Sequence, residues 1–379
     1  MKIGIIGAGI GGLTAAIALQ QNGHEVFVFE QANEIKAVGA GLVLAANAIK
    51  ALSLLNQDLP VESIGQWIGD AYVLDQYGKV ILGTDFDGAE SIAEGRNFTV
   101  HRADLHRLLR GQLKSGSLFL NENCVEVQVN DHEITTLFAS GLTHACDLLV
   151  AADGIHSFIR KQFWPDSVYR YAGYTCWRGV IDQNRLPKPI TRFSESWGKG
   201  KRFGLVPLSN NRLYWFACLN AKQNDPEMAA LTPEKLSVLF RNFHAPIPEV
   251  LRATHTTETH WADIGDLKPL QNFAHKRLIL LGDAAHATTP NLGQGAGMAI
   301  EDALVLSKVL NDHSSLELAL QAYVRKRQPR VRKVVQMSRQ IGAVAQKTPG
   351  WLQPWRNALL RLTPPAQKSL AWLYSTDWY

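Results

Sequence analysis

Apolar residues fall along the chain in three kinds of pattern. The first is the short unbroken run: "KIGII" (2–6), "LLV" within "CDLLVAADG" (146–154) and "LILL" within "KRLILLGD" (276–283). Such runs suit strands buried on both faces of a parallel sheet. The first is followed by a glycine-rich turn, by "LTAAIALQQNG" (13–23), and then by "EVFVFE" (25–30). The middle piece reads as a helix of good formers closed by Gly23, so the chain opens with a right-handed βαβ unit. The second pattern is helical periodicity. It marks "AANAIKALSLLN" after a loop around "VGAGL", then "HRADLHRLLRGQL", and the long stretch from "GAGMAIEDALVLSKVL" to the C-terminus. The third is alternation rich in aromatics. It appears in short β-type segments between 66 and 100, and from 166 to about 264, where "RFGLVPL-SNN-RLYWFACL" signals a hairpin. Buried-strand segments flank the alternating region on both sides. The expected fold is therefore α/β: a discontinuous Rossmann-like dinucleotide-binding domain (1–70, 96–165 and 265–345), an inserted, mainly antiparallel β-sheet domain (71–95 and 166–264), and a helical C-terminus (346–379). No internal repeat interrupts this reading.

The glycine turn is the sharpest chemical signal. Gly7, Gly9 and Gly12, with Gly11 between them, form a GxGxxG between strand and helix, and Glu30 ends the second strand 23 residues after Gly7. Gly7 permits the tight turn, Gly9 lets a pyrophosphate approach the backbone, and Gly12 allows close helix–strand packing. The helix N-terminus faces the phosphates, and Glu30 takes the ribose hydroxyls. The other two buried runs end in Asp153-Gly154 and Gly282-Asp283. In a parallel sheet all three turns share one carboxyl edge, along which an extended cofactor could lie. Farther on, Gly293, Gly295 and Gly297 sit where a helix begins. Glycine is costly inside a helix, so a flat or charged group approaching the backbone explains them better.

Composition narrows the class. A chain of 379 residues with 46% hydrophobic and 19% charged residues is globular and long enough for two domains. Its formal charge of +5 is mild; it suits anionic small molecules and does not imply nucleic acid. The four cysteines lie far apart with no CxxC, which points to reduced thiols in a cytoplasmic protein and away from a zinc site or disulfide framework. The first residues already read as structure rather than as a signal peptide, and no apolar run reaches membrane-spanning length. The cluster Arg325, Lys326, Arg327, Arg330, Arg332 and Lys333 is expected to be a solvated helix face. Trp351, Trp355, Leu359 and Leu362, at helical spacing, are expected to pack against the cofactor domain. His286 is expected to hold the "GDAAH" loop by hydrogen bonding rather than to act as an acid or base. No nucleophile–His–acid grouping is evident, and "GKGKRFG" lacks the ending of a Walker loop.

The motifs "GAGIGG", "HRADL", "ADGIHSFIR" and "GDAAHATTPNLGQGAGMAIEDA" together resemble the group A flavin-dependent monooxygenases. That family includes aromatic hydroxylases, zeaxanthin-epoxidase-like enzymes and FAD-dependent urate hydroxylases. The resemblance implies FAD as cofactor, with Asp283 on the ribityl chain and Arg102 on the phosphate side. Gln31 would follow the ribose acid, Val125 would offer backbone beside the adenine, and Val43 would lie near the flavin. It also links Asp153 to FAD and NAD(P)H binding. Pro290, Gly293, Gly295 and Ala296 would carry the backbone that meets the flavin's pyrimidine edge. On the substrate side, Arg202 and Tyr214 match positions in the urate hydroxylases. Arg178, within "TCWRG", replaces an asparagine of those enzymes and suggests a different, anionic substrate. The implied activity is an FAD-dependent, NADH- or NADPH-consuming monooxygenase. It would insert one oxygen atom of O2, through a hydroperoxyflavin, into an aromatic or other electron-rich small molecule. The alternatives are another FAD oxidoreductase on the same scaffold, a reductase or a halogenase-like enzyme (although the halogenase WxWxIP signature is absent), or a non-catalytic FAD-fold binding protein.

Overall fold

The computed structural model describes residues 1–34, 40–85, 97–363 and 372–375; parts of the intervals 71–95 and 346–379 lie outside these. The central sheet has six strands in the order Ala274–His275, Leu278–Leu280, Leu148–Ala151, Lys2–Ile6, Glu25–Glu30 and Leu118–Leu120. All neighbours are parallel except the first pair. Its apolar runs are continuous because both faces are covered: Ile3, Ile5, Leu149, Val150, Ile279 and Leu280 are fully buried. The helix Ile10–Gln21 lies on one side against the helix Gly295–Asp312, with Leu13, Ala15 and Ala16 inaccessible. As the helical pattern predicts, Gly23 follows its end, at φ +80°.

The second sheet has seven strands in the order Thr259–Leu267, Tyr169–Asp182, Arg212–Asn220, Lys201–Leu208, Phe193–Gly198, Asp70–Asp75 and Val80–Asp85. Every pairing is antiparallel except Phe193–Gly198 with Asp70–Asp75. The hairpin read from "RFGLVPL-SNN-RLYWFACL" is present, with Val206 opposite Tyr214 and Arg202 opposite Cys218. Because strand side chains alternate, this sheet has two distinct faces. Trp177, Phe203, Trp215 and Leu219 pack outward against the short helices Pro233–Leu239 and Ile247–Arg252. Val206, Leu208 and Tyr214 point the other way and meet Ala40 and Val43. The long helix Leu316–Lys347 touches both sheets.

Two expectations need correction. The basic cluster is not a uniformly solvated face: Arg327 and Arg330 turn inward, while Arg325, Lys326, Arg332 and Lys333 remain exposed. Arg327 Nε donates to Asp302 Oδ1 at 2.6 Å, and Arg330 forks onto both oxygens of Glu301 at 2.7 and 2.8 Å. Two acids buried on the helix Gly295–Asp312 require cations, and the neighbouring helix supplies them. Second, the Trp351–Leu362 stripe does not pack inward; Trp351, Trp355, Leu359 and Leu362 are 75%, 74%, 61% and 81% exposed. The buried face of that helix, Gln353–Leu362, instead carries Arg356 and Asn357.

Candidate active site

The three turns converge at the carboxyl edge of the parallel sheet, and the glycines divide the work. A Cβ on Gly7 would lie 2.4 Å from the Ala152 carbonyl oxygen, and one on Gly12 would lie 2.0 Å from the Gly7 oxygen. Both are packing requirements. A Cβ on Gly9 would meet nothing within 4 Å, so this position faces open space, where a phosphate needs it. Glu30 is held beside the turn: its Oε2 accepts from Ala8 N at 2.8 Å and its Oε1 from Ala32 N at 3.0 Å. His106, which the sequence reading did not single out, places Nε2 2.6 Å from the Ala8 oxygen. Gln31 is exposed next to Glu30, and Val125 is 43% exposed on the strand Cys124–Val129.

Around the next two turns the polar groups are only partly satisfied. Asp153 Oδ2 accepts from Ile159 N at 3.3 Å, while its buried Oδ1 has no partner among the described residues. Burial pushes the Asp153 carboxyl up. Arg160, also not singled out beforehand, bridges the turns: its guanidinium donates to Ala284 O at 2.9 Å and to Ile155 O at 2.5 Å. Its Nε is buried without an acceptor. Asp283 is accessible to solvent yet hemmed in by protein, as at the floor of a cleft. Desolvation raises its pKa, and the charges of His286, Arg102 and Arg160 oppose the rise. Arg102 itself is exposed and opens the helix Arg102–Arg110.

The loop from 282 to 297 rests on a buried polar network. Asp302 Oδ2 accepts from Gly282 N at 2.9 Å and lies 2.6 Å from His286 Nε2. Burial pushes the Asp302 carboxyl up, but the His286 and Arg327 charges and the hydrogen bonds outweigh it and hold the group well below the usual carboxylate range. His286 is thus a structural hydrogen-bonding group, buried at 2% exposure. Asn47 Nδ2 donates to Gln294 Oε1 at 3.0 Å and also to Glu301. Gly293 takes the left-handed conformation at φ +63° and lies over Val43. The helix Gly295–Asp312 then begins with no side-chain cap, which leaves its first amide groups aimed out of the loop. Ala296 is the second residue of that helix.

The facing sheet presents a grid. Along one face of adjacent strands, Val180 is opposite Tyr214, Arg178 opposite Phe216, and Cys176 opposite Cys218. Tyr214 lies directly against Gly41, where a Cβ would meet its ring at 2.6 Å. Arg178 sits beside Tyr214 on this face, close enough for each to influence the other's charge. Burial raises the Tyr214 pKa. The Arg178 guanidinium is held firmly charged, chiefly by Cys176. Arg202 is placed differently from the expected substrate contact. At 3% exposure it donates from Nε to Gln346 Oε1 at 2.8 Å, and from Nη1 to Glu195 Oε1 at 3.0 Å and Asn291 Oδ1 at 2.9 Å. It ties the sheet to the loop that holds Pro290 and Gly293. No cluster of potential metal ligands occurs among the described residues.

Open space over Gly9, unpartnered Asp153 Oδ1 and Arg160 Nε, the accessible Asp283 and an uncapped helix N-terminus lie along one edge and fit an extended dinucleotide. An enclosed sheet face meets its far end. This is the plan of a flavin-dependent oxygenase. The chain belongs to the group A FAD-dependent monooxygenases: a family model described as "FAD binding domain" matches residues 114–338, and one for an "NAD(P)-binding Rossmann-like domain" matches residues 5–36. It is 35% identical to aurachin C monooxygenase/isomerase of Stigmatella aurantiaca, over 93% of this chain and 90% of that protein. It is 32% identical to 2-heptyl-3-hydroxy-4(1H)-quinolone synthase of Pseudomonas aeruginosa, over 97% and 96%. The solved structure of Klebsiella pneumoniae HpxO complexed with FAD and uric acid superposes with a TM-score of 0.87 at 28% identity, covering 99% of this chain and 96% of that one. The protein is an FAD-dependent monooxygenase.

Proposed function

We propose that the protein oxygenates a fused-ring aromatic substrate bearing an acidic oxygen, using NADH or NADPH and O2 as co-substrates. The observation that carries this reading is Arg178. It is a largely enclosed cation with no carboxylate partner among the described residues, beside the Tyr214 hydroxyl and the apolar side chains Val180 and Phe216. A desolvated guanidinium with no carboxylate counter-ion among the described residues, and with the Cys176 sulfur and the Tyr214 hydroxyl beside it, favours an anionic ligand, and its planar fork suits an enolate or carboxylate edge. The named products or ligands of the relatives, a hydroxyquinolone and uric acid, are fused-ring compounds of this kind.

FAD, when bound, supplies the electron transfer and oxygen activation that no side chain can provide. The protein's own contribution is placement and electrostatics. Gly9, Glu30, Gln31 and the Val125 backbone would hold the adenosine half; Arg102, Asp153 and Asp283 would hold the middle. The uncapped amides at Gly295 and Ala296 would place positive potential where negative charge collects. Val43 and the sheet face exclude water, and Arg178 and Tyr214 orient the ring. Arg202 acts as a positioning residue through Asn291. The division into cofactor segments (1–70, 96–165, 265–345) and a substrate segment (71–95, 166–264) belongs to the same proposal, supported by the membership of the two large sheets. Four free, buried cysteines suit a reducing cytoplasmic location.

The test is NAD(P)H oxidation by FAD-loaded protein across alkylquinolones, purines and aminohydroxybenzoates, with peroxide measured in parallel. A compound that accelerates oxidation without matching peroxide, and that gains one oxygen by mass, supports the proposal. Stimulation confined to uncharged substrates, unaffected by Arg178→Met, would defeat it.

A further inference from the structure

Residues 318–376 contain no aspartate or glutamate and eleven lysines and arginines. This segment alone therefore carries +11, more than the chain's net charge of +5, and the rest of the chain is net acidic. Arg327 and Arg330 are neutralised internally by Glu301 and Asp302, and Arg339 by Asp266. Lys199, Lys347 and Arg361 are exposed and form no ion pair among the described residues. They rim the helix Gln353–Leu362: Lys199 lies against Gly350, Lys347 ends the preceding helix, and Arg361 Nε donates to Val80 O at 2.9 Å.

The rotation of this helix is fixed. Arg356 is buried with its guanidinium over the Trp197 ring, 5.0 Å from the centroid, and donates to Asn357 Oδ1 at 2.8 and 3.0 Å. Leu360 packs against Ile81, Trp197 and Ala345. The opposite face must then present Trp351, Trp355, Leu359 and Leu362 together, and they are among the most exposed apolar side chains in the molecule. The half-exposed Val80 and Val344 extend the same surface. Two tryptophans and two leucines on one face, beside Lys199, Lys347 and Arg361 and on a sequence segment without acids, match a helix lying in a membrane–water interface. Exposed apolar patches of this kind with a polar rim mark interaction surfaces.

We propose that this surface docks the protein peripherally on a bilayer with anionic headgroups. Tryptophan and leucine would enter the headgroup boundary while Lys199, Lys347 and Arg361 meet the lipid phosphates. No helix among the described residues is long and apolar enough to cross a membrane.

The test is sedimentation of the FAD-loaded protein with vesicles of equimolar phosphatidylcholine and phosphatidylglycerol, and with vesicles of phosphatidylcholine only. Tryptophan quenching by brominated lipid is read in parallel. The expected result is binding to the anionic vesicles with quenching, and at least tenfold weaker partitioning for Trp351→Ser/Trp355→Ser. Flavin absorbance and thermal midpoint of that variant stay unchanged, because both side chains are mostly exposed. Binding should also weaken steeply near 1 M salt, where the Debye length is about 3 Å. Three results would overturn the proposal: no binding to either vesicle, equal binding to neutral vesicles, or a tryptophan-dependent dimer in ultracentrifugation without vesicle binding. The last would make the patch an interface between copies.

Discussion

Asp302→Asn is nearly isosteric, yet it should be among the most damaging single changes beneath the cofactor loop. In the native fold two buried acids, Glu301 and Asp302, balance two buried cations, Arg327 and Arg330. Neutralising Asp302 leaves one uncompensated positive charge at a fully inaccessible site, which costs about 3–5 kcal/mol. The amide brings a second fault. Oδ2 now accepts from Gly282 N and faces His286 Nε2, while Oδ1 accepts from Arg327 Nε. Asparagine has one oxygen, so its NH2 must point at a donor on one side or the other. For a chain of this size the midpoint should fall by roughly 6–10 °C, taking about 2 °C per kcal/mol. FAD should bind at least tenfold more weakly, because the Gly282–Asp283 turn loses its anchor. Thermal unfolding followed by flavin fluorescence gives the first number, and titration of the apoprotein with FAD gives the second. The double variant Asp302→Leu/Arg327→Met should be less destabilised than the sum of its two single changes, because it removes both charges. A midpoint within 2 °C of wild type, or strictly additive costs in the cycle, would refute the reasoning.

Three other outcomes follow from the geometry. Gly9→Val should leave the apoprotein's thermal midpoint near wild type while abolishing FAD binding, whereas Gly12→Ala should destabilise the apoprotein itself; calorimetry of both separates the two roles. Arg178→Met should raise KM for an anionic substrate by tenfold or more with little change in FAD affinity, as read by steady-state kinetics and FAD titration. His144 lies against the rings of Phe27 and Phe29, and burial, aided by Lys2, pushes its pKa down to about 4. A lowered histidine pKa gives stability that is full above about 6.5 and lost as pH falls through 4. Urea unfolding should therefore show His144→Leu losing about 1–2 kcal/mol less than wild type between pH 7 and pH 4.5, an amount reduced for the ring's partial exposure.

The sheet strands and the glycine turn were legible because local patterns encode them: buried parallel strands are uniformly apolar, and a strand–glycine–helix junction has one dominant physical use. The hairpin with Tyr214 was visible for the same reason. What remained hidden depends on pairings between distant segments. "AIEDAL" places two acids in the apolar part of a helix, and nothing local says that Arg327 and Arg330 turn inward to pair with them. Arg202 was expected on the substrate side because it matches a position in the urate hydroxylases; the partners that enclose it, Gln346 and Asn291, lie 144 and 89 residues away. Arg160 and His106 were quoted within motifs without a role, since each acts by bonding the backbone of another turn. The tryptophan stripe misled because helical spacing shows that a face exists, not which way it points; Arg356 and Asn357 occupy the buried face.

The central claim is that the cleft from Gly9 to Gly295 holds FAD and directs one atom of dioxygen into a substrate seated on the Arg178 sheet. Turnover under isotopically labelled dioxygen, with whichever compound stimulates NAD(P)H oxidation, tests it most directly by mass spectrometry. The product should carry a single labelled oxygen, with formation suppressed in Gly9→Val and slowed in Arg178→Met. An unlabelled product, or NAD(P)H oxidation that yields only labelled peroxide with every compound, would contradict it.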